Sequence, residues 1–140
     1  MKFFLLAINI LLLGSCEPSD NRLSIVNRSK QGIYCIYSKG FELNATQEIS
    51  LFRDTLMRLD TLYQDYLNPN SETLVPNMVK WEYYINETPG NCVNFYFLST
   101  DTLSTYSWSD ICRRKLYRHR LSYTLKDLEK MNWKIVYPIN

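Results

Sequence analysis

The sequence predicts an α+β domain, with a mostly antiparallel sheet and short helices on one face. Two observations lead there. Strand-like runs rich in Ile, Val, Tyr and Phe open the chain, and in its second half they alternate with short helical signals. The composition, 46% hydrophobic and 21% charged over 140 residues, is that of a folded domain rather than a disordered chain.

The elements follow in order. Leu23-Ser24-Ile25-Val26-Asn27 reads as a strand, Arg28 to Gly32 as a polar turn, and Ile33 to Ser38 as a second strand. Together they predict a hairpin with a longer loop, ended by Lys39-Gly40. Ile49, Phe52, Leu56, Leu59, Tyr63 and Tyr66 recur at alternating steps of three and four. That spacing predicts a helix over 47–60. The competing reading makes Leu62 to Leu67 a short strand running into Asn68-Pro69-Asn70. Residues 67–77 read as loop, bounded by Pro69 and Pro76. Val79 to Asn86 fits helix or strand. Thr88-Pro89-Gly90-Asn91 is a turn.

Cys92 to Ser99 is the strongest strand signal, and its near-continuous apolar run predicts a central position buried on both faces. Ser107 and Asp110 have the spacing of a capping box and predict a helix to about Lys115. Leu116 to Tyr123 alternates, with Tyr117, His119, Leu121 and Tyr123 on one side and Arg118 and Arg120 on the other. That is a half-exposed strand. Thr124 and Asp127 repeat the capping pattern, and Trp133 to Tyr137 is a last strand stopped by Pro138.

The N-terminus carries an address. Lys2, an apolar run from Phe3 to Leu13, and the small residues Gly14 and Ser15 have the layout of a secretory signal peptide. The run is shorter than the ~20 residues that cross a bilayer. Leu13-Gly14-Ser15-Cys16 resembles the bacterial lipobox. The resemblance implies cleavage before Cys16 and a diacylglyceryl group on its sulfur, which makes membrane lipid the partner through acylated Cys16. The domain organisation expected is a signal peptide over 1–15, a tether over 16–22 and a single domain over 23–140. The expected location is the cell envelope, lipid-anchored to the outer membrane on its periplasmic or outer side. Glu17 and Asp20 give a weak acidic hint of the outer side.

Formal charge is +2 and falls to about +1 without Lys2, so no strong field points to nucleic acid. The basic run Arg113-Arg114-Lys115 with Arg118 and Arg120 reads first as a solvated helix end that suits the macrodipole. Its functional option is contact with anionic lipid head groups. With Cys16 lipidated, Cys35, Cys92 and Cys112 remain. They allow one bridge, Cys35 with Cys92, or three buried thiols.

No metal site or cofactor is expected: there is no CxxC, no Cys/His spacing suited to zinc, and no phosphate-binding glycine motif. His119 is the single histidine, and nothing in the sequence places a nucleophile beside it. The chain therefore reads as non-enzymatic, a structural or interaction module whose protein or glycan partner is open. Eleven tyrosines and three tryptophans motivate the alternative of a glycan-binding accessory lipoprotein. A carboxylate hydrolase is a third option, which needs two acids facing one cleft.

Asp-Thr-Leu occurs three times and resembles an O-glycosylation sequon of Bacteroides-like bacteria. The resemblance implies acceptors at Thr55, Thr61 and Thr102. A second resemblance spans 92–138 and, more weakly, 23–38. Phe95-Tyr96-Phe97, Ser107-Trp108-Ser109-Asp110-Ile111, Leu125-Lys126-Asp127-Leu128, Asn132-Trp133 and Tyr137-Pro138 resemble small Bacteroidetes lipoproteins of unknown function. That family implies a class and a location, and no catalytic residues.

Overall fold

A computed structural model describes residues 19–45 and 62–138. The helix expected over 47–60, and Cys16, Thr55 and Thr61, lie outside the described residues. The strands are β1 (Ser24–Asn27), β2 (Ile33–Ser38), β3 (Leu62–Leu67), β4 (Ser71–Leu74), β5 (Cys92–Ser99), β6 (His119–Thr124) and β7 (Lys134–Tyr137). The helices are α1 (Trp81–Asn86), α2 (Thr100–Thr105), α3 (Trp108–Arg114) and α4 (Leu125–Lys130). The class is α+β, as expected, but the strands form two sheets. One has four antiparallel strands in the order β3-β2-β5-β6, and the other has the order β4-β1-β7.

The expected β1–β2 hairpin does not form. β1 pairs antiparallel with β4 and parallel with β7, whereas β2 lies between β3 and β5. Between the two strands stands Asn27, which is fully buried. Its Nδ2 donates to the carbonyls of Gln31 (2.9 Å) and Leu67 (3.1 Å), while its Oδ1 accepts from Ser29 N (3.0 Å) and Ser29 Oγ (2.7 Å). The amide is thus satisfied by the turn over 27–31 and by Leu67 of β3, tying the end of β1 to the four-stranded sheet. Within the segment expected to be loop, Ser71–Leu74 forms β4, an edge strand against β1.

β5 is buried along its whole length. Its alternating side chains feed two cores. Val93, Phe95 and Phe97, with Ile33, Cys35 and Tyr37 of β2, pack against Trp81 and Ile85 of α1, Leu128 of α4, and Ile25, Ile135 and Tyr137 of the second sheet. Phe97 stacks on Tyr137 with ring centroids 4.9 Å apart, joining the sheets. On the other face, Ile36, Tyr96 and Leu98 pack with Leu43, Ile111, Leu103 and Trp108. The helices, expected on one face, therefore divide between the two: α1 and α4 on one, α2 and α3 on the other.

Both predicted helix starts are capped, the second by a full capping box and the first by its N-cap hydroxyl alone. Ser107 accepts from Asp110 N, and Thr124 and Asp127 form a reciprocal capping box. α2 has a similar start, Ser99 accepting from Thr102 N.

Cys35, Cys92 and Cys112 are free thiols. A Cys35–Cys92 bridge is incompatible with the register, because Cys35 stands opposite Phe97, five residues along β5 from Cys92. Five strand residues span roughly 17 Å, far beyond disulfide reach.

Candidate functional site

The densest polar arrangement lies where the chain enters the domain. Residues 19–22 fall within the expected tether, yet Asp20 is joined to the fold. Its backbone N–H donates to Asn77 O at 2.7 Å, and Asn77 N donates back to Asp20 O at 3.0 Å. Its carboxylate accepts from Arg22 Nε (2.9 Å), Arg22 Nη2 (2.6 Å), Arg22 N (3.2 Å) and Trp81 N (3.1 Å). The last bond matters for α1, whose N-cap residue, Lys80, supplies no side-chain cap. Asp20 satisfies that open helix N–H from 61 residues away.

Arg22 also donates to Glu82 Oε2 at 2.7 Å, and its guanidinium lies 4.1 Å from the centroid of the Trp133 ring. Such stacking is suited to a planar, weakly hydrated cation. Trp133 adopts a left-handed conformation, φ 58°, directly after Asn132 at φ 54°. A bulky residue there is strained. The bonds Trp133 N to Leu128 O (2.8 Å) and Ser24 N to Trp133 O (2.9 Å) hold it. They close the end of α4, turn the chain into β7, and lay the indole under Arg22.

The electrostatics follow. Hydrogen bonds from Arg22, opposed by burial, hold the Asp20 carboxyl down at about 2. The Arg22 guanidinium is pushed further up, first by its bonds to Asp20 and then by Glu82. Glu82 is lowered by Arg22. Ser19, Asp20, Asn21, Arg22, Lys80 and Glu82 line an open cleft of about 700 Å³.

A second cleft of about 450 Å³ runs beside α3, lined by Glu42, Leu43, Asn44, Ala45, Cys112, Arg113 and Lys115. Side chains of the four-stranded sheet and of α3 fix its loop. Tyr96 Oη donates to Phe41 O (2.8 Å), Asn94 Nδ2 donates to Gly40 O (3.0 Å), and Trp108 Nε1 donates to Asn44 O (3.2 Å). Burial pushes the Tyr96 phenol up to about 12 and the Cys112 thiol up to about 11, so neither is an activated nucleophile at neutral pH.

The residues singled out in the sequence do not converge. His119 is exposed on β6 and meets the Tyr137 ring edge-on at 5.6 Å. The five cations of the basic run each have an internal partner. Arg113 pairs with Asp110, Arg114 lies over Tyr106, Lys115 bonds Glu42 at 2.7 Å, Arg118 bonds Gln31, and Arg120 bonds Asn94. Thr102 is half-buried in the first turn of α2, with its hydroxyl 2.8 Å from Ser99 Oγ. Among the described residues, no group of three or more His, Cys, Asp or Glu side chains is placed to hold a metal.

Sequence reasoning missed the clamp of Asp20, Arg22, Glu82 and Trp133, whose members are distant along the chain. Only Asp20 and Arg22 lie close together in the sequence, two residues apart.

No family model, curated protein or solved structure matches the chain.

Proposed function

We propose that this chain is a lipoprotein of the bacterial cell envelope, held on the membrane by acyl chains on Cys16 and acting as a non-catalytic structural or interaction module. The observation that carries the proposal is Leu13-Gly14-Ser15-Cys16 at the end of a short apolar run behind Lys2. Two or three acyl chains on one residue give near-permanent anchoring, since each buried CH2 contributes about 0.8 kcal/mol. Kinship with small Bacteroidetes lipoproteins is part of the same reading.

The non-catalytic reading is supported by what the polar side chains do. Asp127 completes a capping box, Asp110 accepts from the Ser107 hydroxyl and pairs with Arg113, Asp20 and Glu82 bind Arg22, and Glu42, Glu72 and Glu87 pair with lysines. The tyrosines support it as well. Tyr37, Tyr84, Tyr96 and Tyr137 are buried in the cores, and the exposed Tyr66, Tyr83 and Tyr106 fall on three different parts of the fold, β3, α1 and the end of α2.

The experiment is fractionation and mass spectrometry of the chain made in a bacterial host, with Cys16→Ala beside it. The wild-type protein is expected in the membrane fraction, with an N-terminal peptide beginning at an acylated Cys16. Cys16→Ala is expected to accumulate as uncleaved precursor. A bare Cys16 thiol, or wild-type protein recovered without detergent, overturns the proposal.

A further inference from the structure

We infer that the segment Leu74–Tyr83, which carries the docking partners of Asp20, is the face that the domain lays on the lipid surface. The inference rests on the lipid-anchor reading of Cys16 and deepens it by giving the anchored domain an orientation.

The first argument is reach. Four residue steps separate Cys16 from Asp20, so their Cα atoms lie at most about 14 Å apart. Asp20 is no free tether. Two main-chain bonds tie it to Asn77, and its carboxylate holds Trp81 N. Asp20, with Asn77 and Trp81 bonded to it, therefore stays within about 14 Å of an acylated Cys16. A long linker would leave orientation open; one this short narrows it.

The second argument is chemistry. Met78, Leu74 and Tyr83 are 63%, 59% and 57% exposed, the three most exposed large apolar side chains among the described residues. All three fall within ten residues of chain, and Met78 follows Asn77 directly. Lys80, also exposed, precedes Trp81 and lines the cleft with Asp20; it has no ion-pair partner among the described residues. The acids beside it, Asp20 and Glu82, are both bonded to Arg22. The segment thus combines exposed apolar side chains with a polar cluster, Asp20, Glu82, Arg22 and Lys80, whose two carboxylates and two cations cancel. That combination suits a lipid interface, where apolar groups sink into the head-group boundary and the cluster carries no net negative charge to repel anionic lipid.

The test uses the full lipidated chain reconstituted in vesicles of phosphatidylethanolamine and phosphatidylglycerol. A polarity-sensitive fluorophore is placed at Met78→Cys or, as control, at Ser109→Cys on α3, across the four-stranded sheet. Both carry Cys112→Ser, which leaves the buried Cys35 and Cys92 as the other thiols. The label at 78 is expected to emit to the blue of that at 109 and to be quenched severalfold more by nitroxide lipids. Equal quenching at the two positions overturns the inference. So does a label at 78 shielded from both lipid nitroxide and aqueous iodide, which would put a protein there. Mass spectrometry of Cys16 on the same sample separates the two failures. An acylated Cys16 with equal quenching removes only the orientation; a bare one removes the anchor and the orientation together.

Discussion

Asp20 links charge, helix capping and chain entry in one side chain, and its stability contribution has a defined pH window. Its side chain is 7% exposed, and its carboxyl sits at about 2 against an ordinary 3.8. A depressed folded-state pKa adds stability that is complete above the unfolded value and fades as pH falls through the folded one. Between about pH 4 and pH 2 the domain should therefore lose about 1–2 kcal/mol from this group, allowing for solvent around the half-exposed Arg22. Asp20→Asn should lower the urea midpoint at neutral pH, and its gap from wild type should narrow across that window. A gap constant down to pH 2 would show the carboxylate charge to be unimportant. The composition around Asp20 announces a tether. Its distant partners, Asn77 and Trp81, stand about sixty residues on, where local pattern cannot reach.

Elements were legible where their signals are local. The Ser107/Asp110 and Thr124/Asp127 caps each lie within four residues; Thr124 and Asp127 form the full box, and Ser107 caps Asp110 N without the reciprocal bond. Thr124→Ala removes the acceptor of Asp127 N and the hydroxyl bond to the Asp127 carboxylate, and leaves the 2.9 Å bond from the residue 124 backbone N–H to that carboxylate in place. It should cost about 1 kcal/mol, measured as a shift in urea midpoint at neutral pH. Loss of far less would mean that the packing of Leu128 alone holds α4. β4 was missed because Ser71-Glu72-Thr73-Leu74 shows no apolar alternation, and β1 pairing plus the Lys134–Glu72 ion pair supply what its side chains do not. α1 was ambiguous for the opposite reason. Val79 to Asn86 is apolar enough for either period, and the choice falls to Asp20, which caps Trp81 N, and to the core pocket that takes Trp81 and Ile85.

At the scale of the molecule, β5 is the shared wall of both cores. Phe95 is fully buried and touches Tyr37 and Tyr123 at centroid distances of 5.9 and 6.1 Å. Phe95→Ala should cost about 3–5 kcal/mol, a large share of a small domain's stability. Phe95→Leu should cost clearly less, so the pair reads cavity size even if the alanine variant fails to fold. The thiols report on the same architecture. Cys35 and Cys92 are buried, and the Cys112 thiol is pushed up to about 11. Native protein should react slowly with a thiol reagent, and denatured, acylated protein should titrate three thiols. A count of one would restore the disulfide that the strand register excludes.

The reading of short stretches succeeded where a physical signal is local. A continuous apolar run marked Cys92–Ser99 as a doubly buried strand, alternation marked β6, and hydroxyl-to-acid spacing marked two helix starts. Strand partnership had no such signal. β1 and β2 are neighbours in sequence with the pattern of a hairpin, yet β1 pairs with β4 and β7 while β2 pairs with β3 and β5. The same holds for the clamp at the domain entrance, since a carboxylate, a guanidinium and an indole become one site only after 20, 22, 82 and 133 are folded together. Periodicity and capping are properties of a few adjacent residues and survive in the linear chain; register, burial of polar groups and ion-pair geometry are settled by long-range packing.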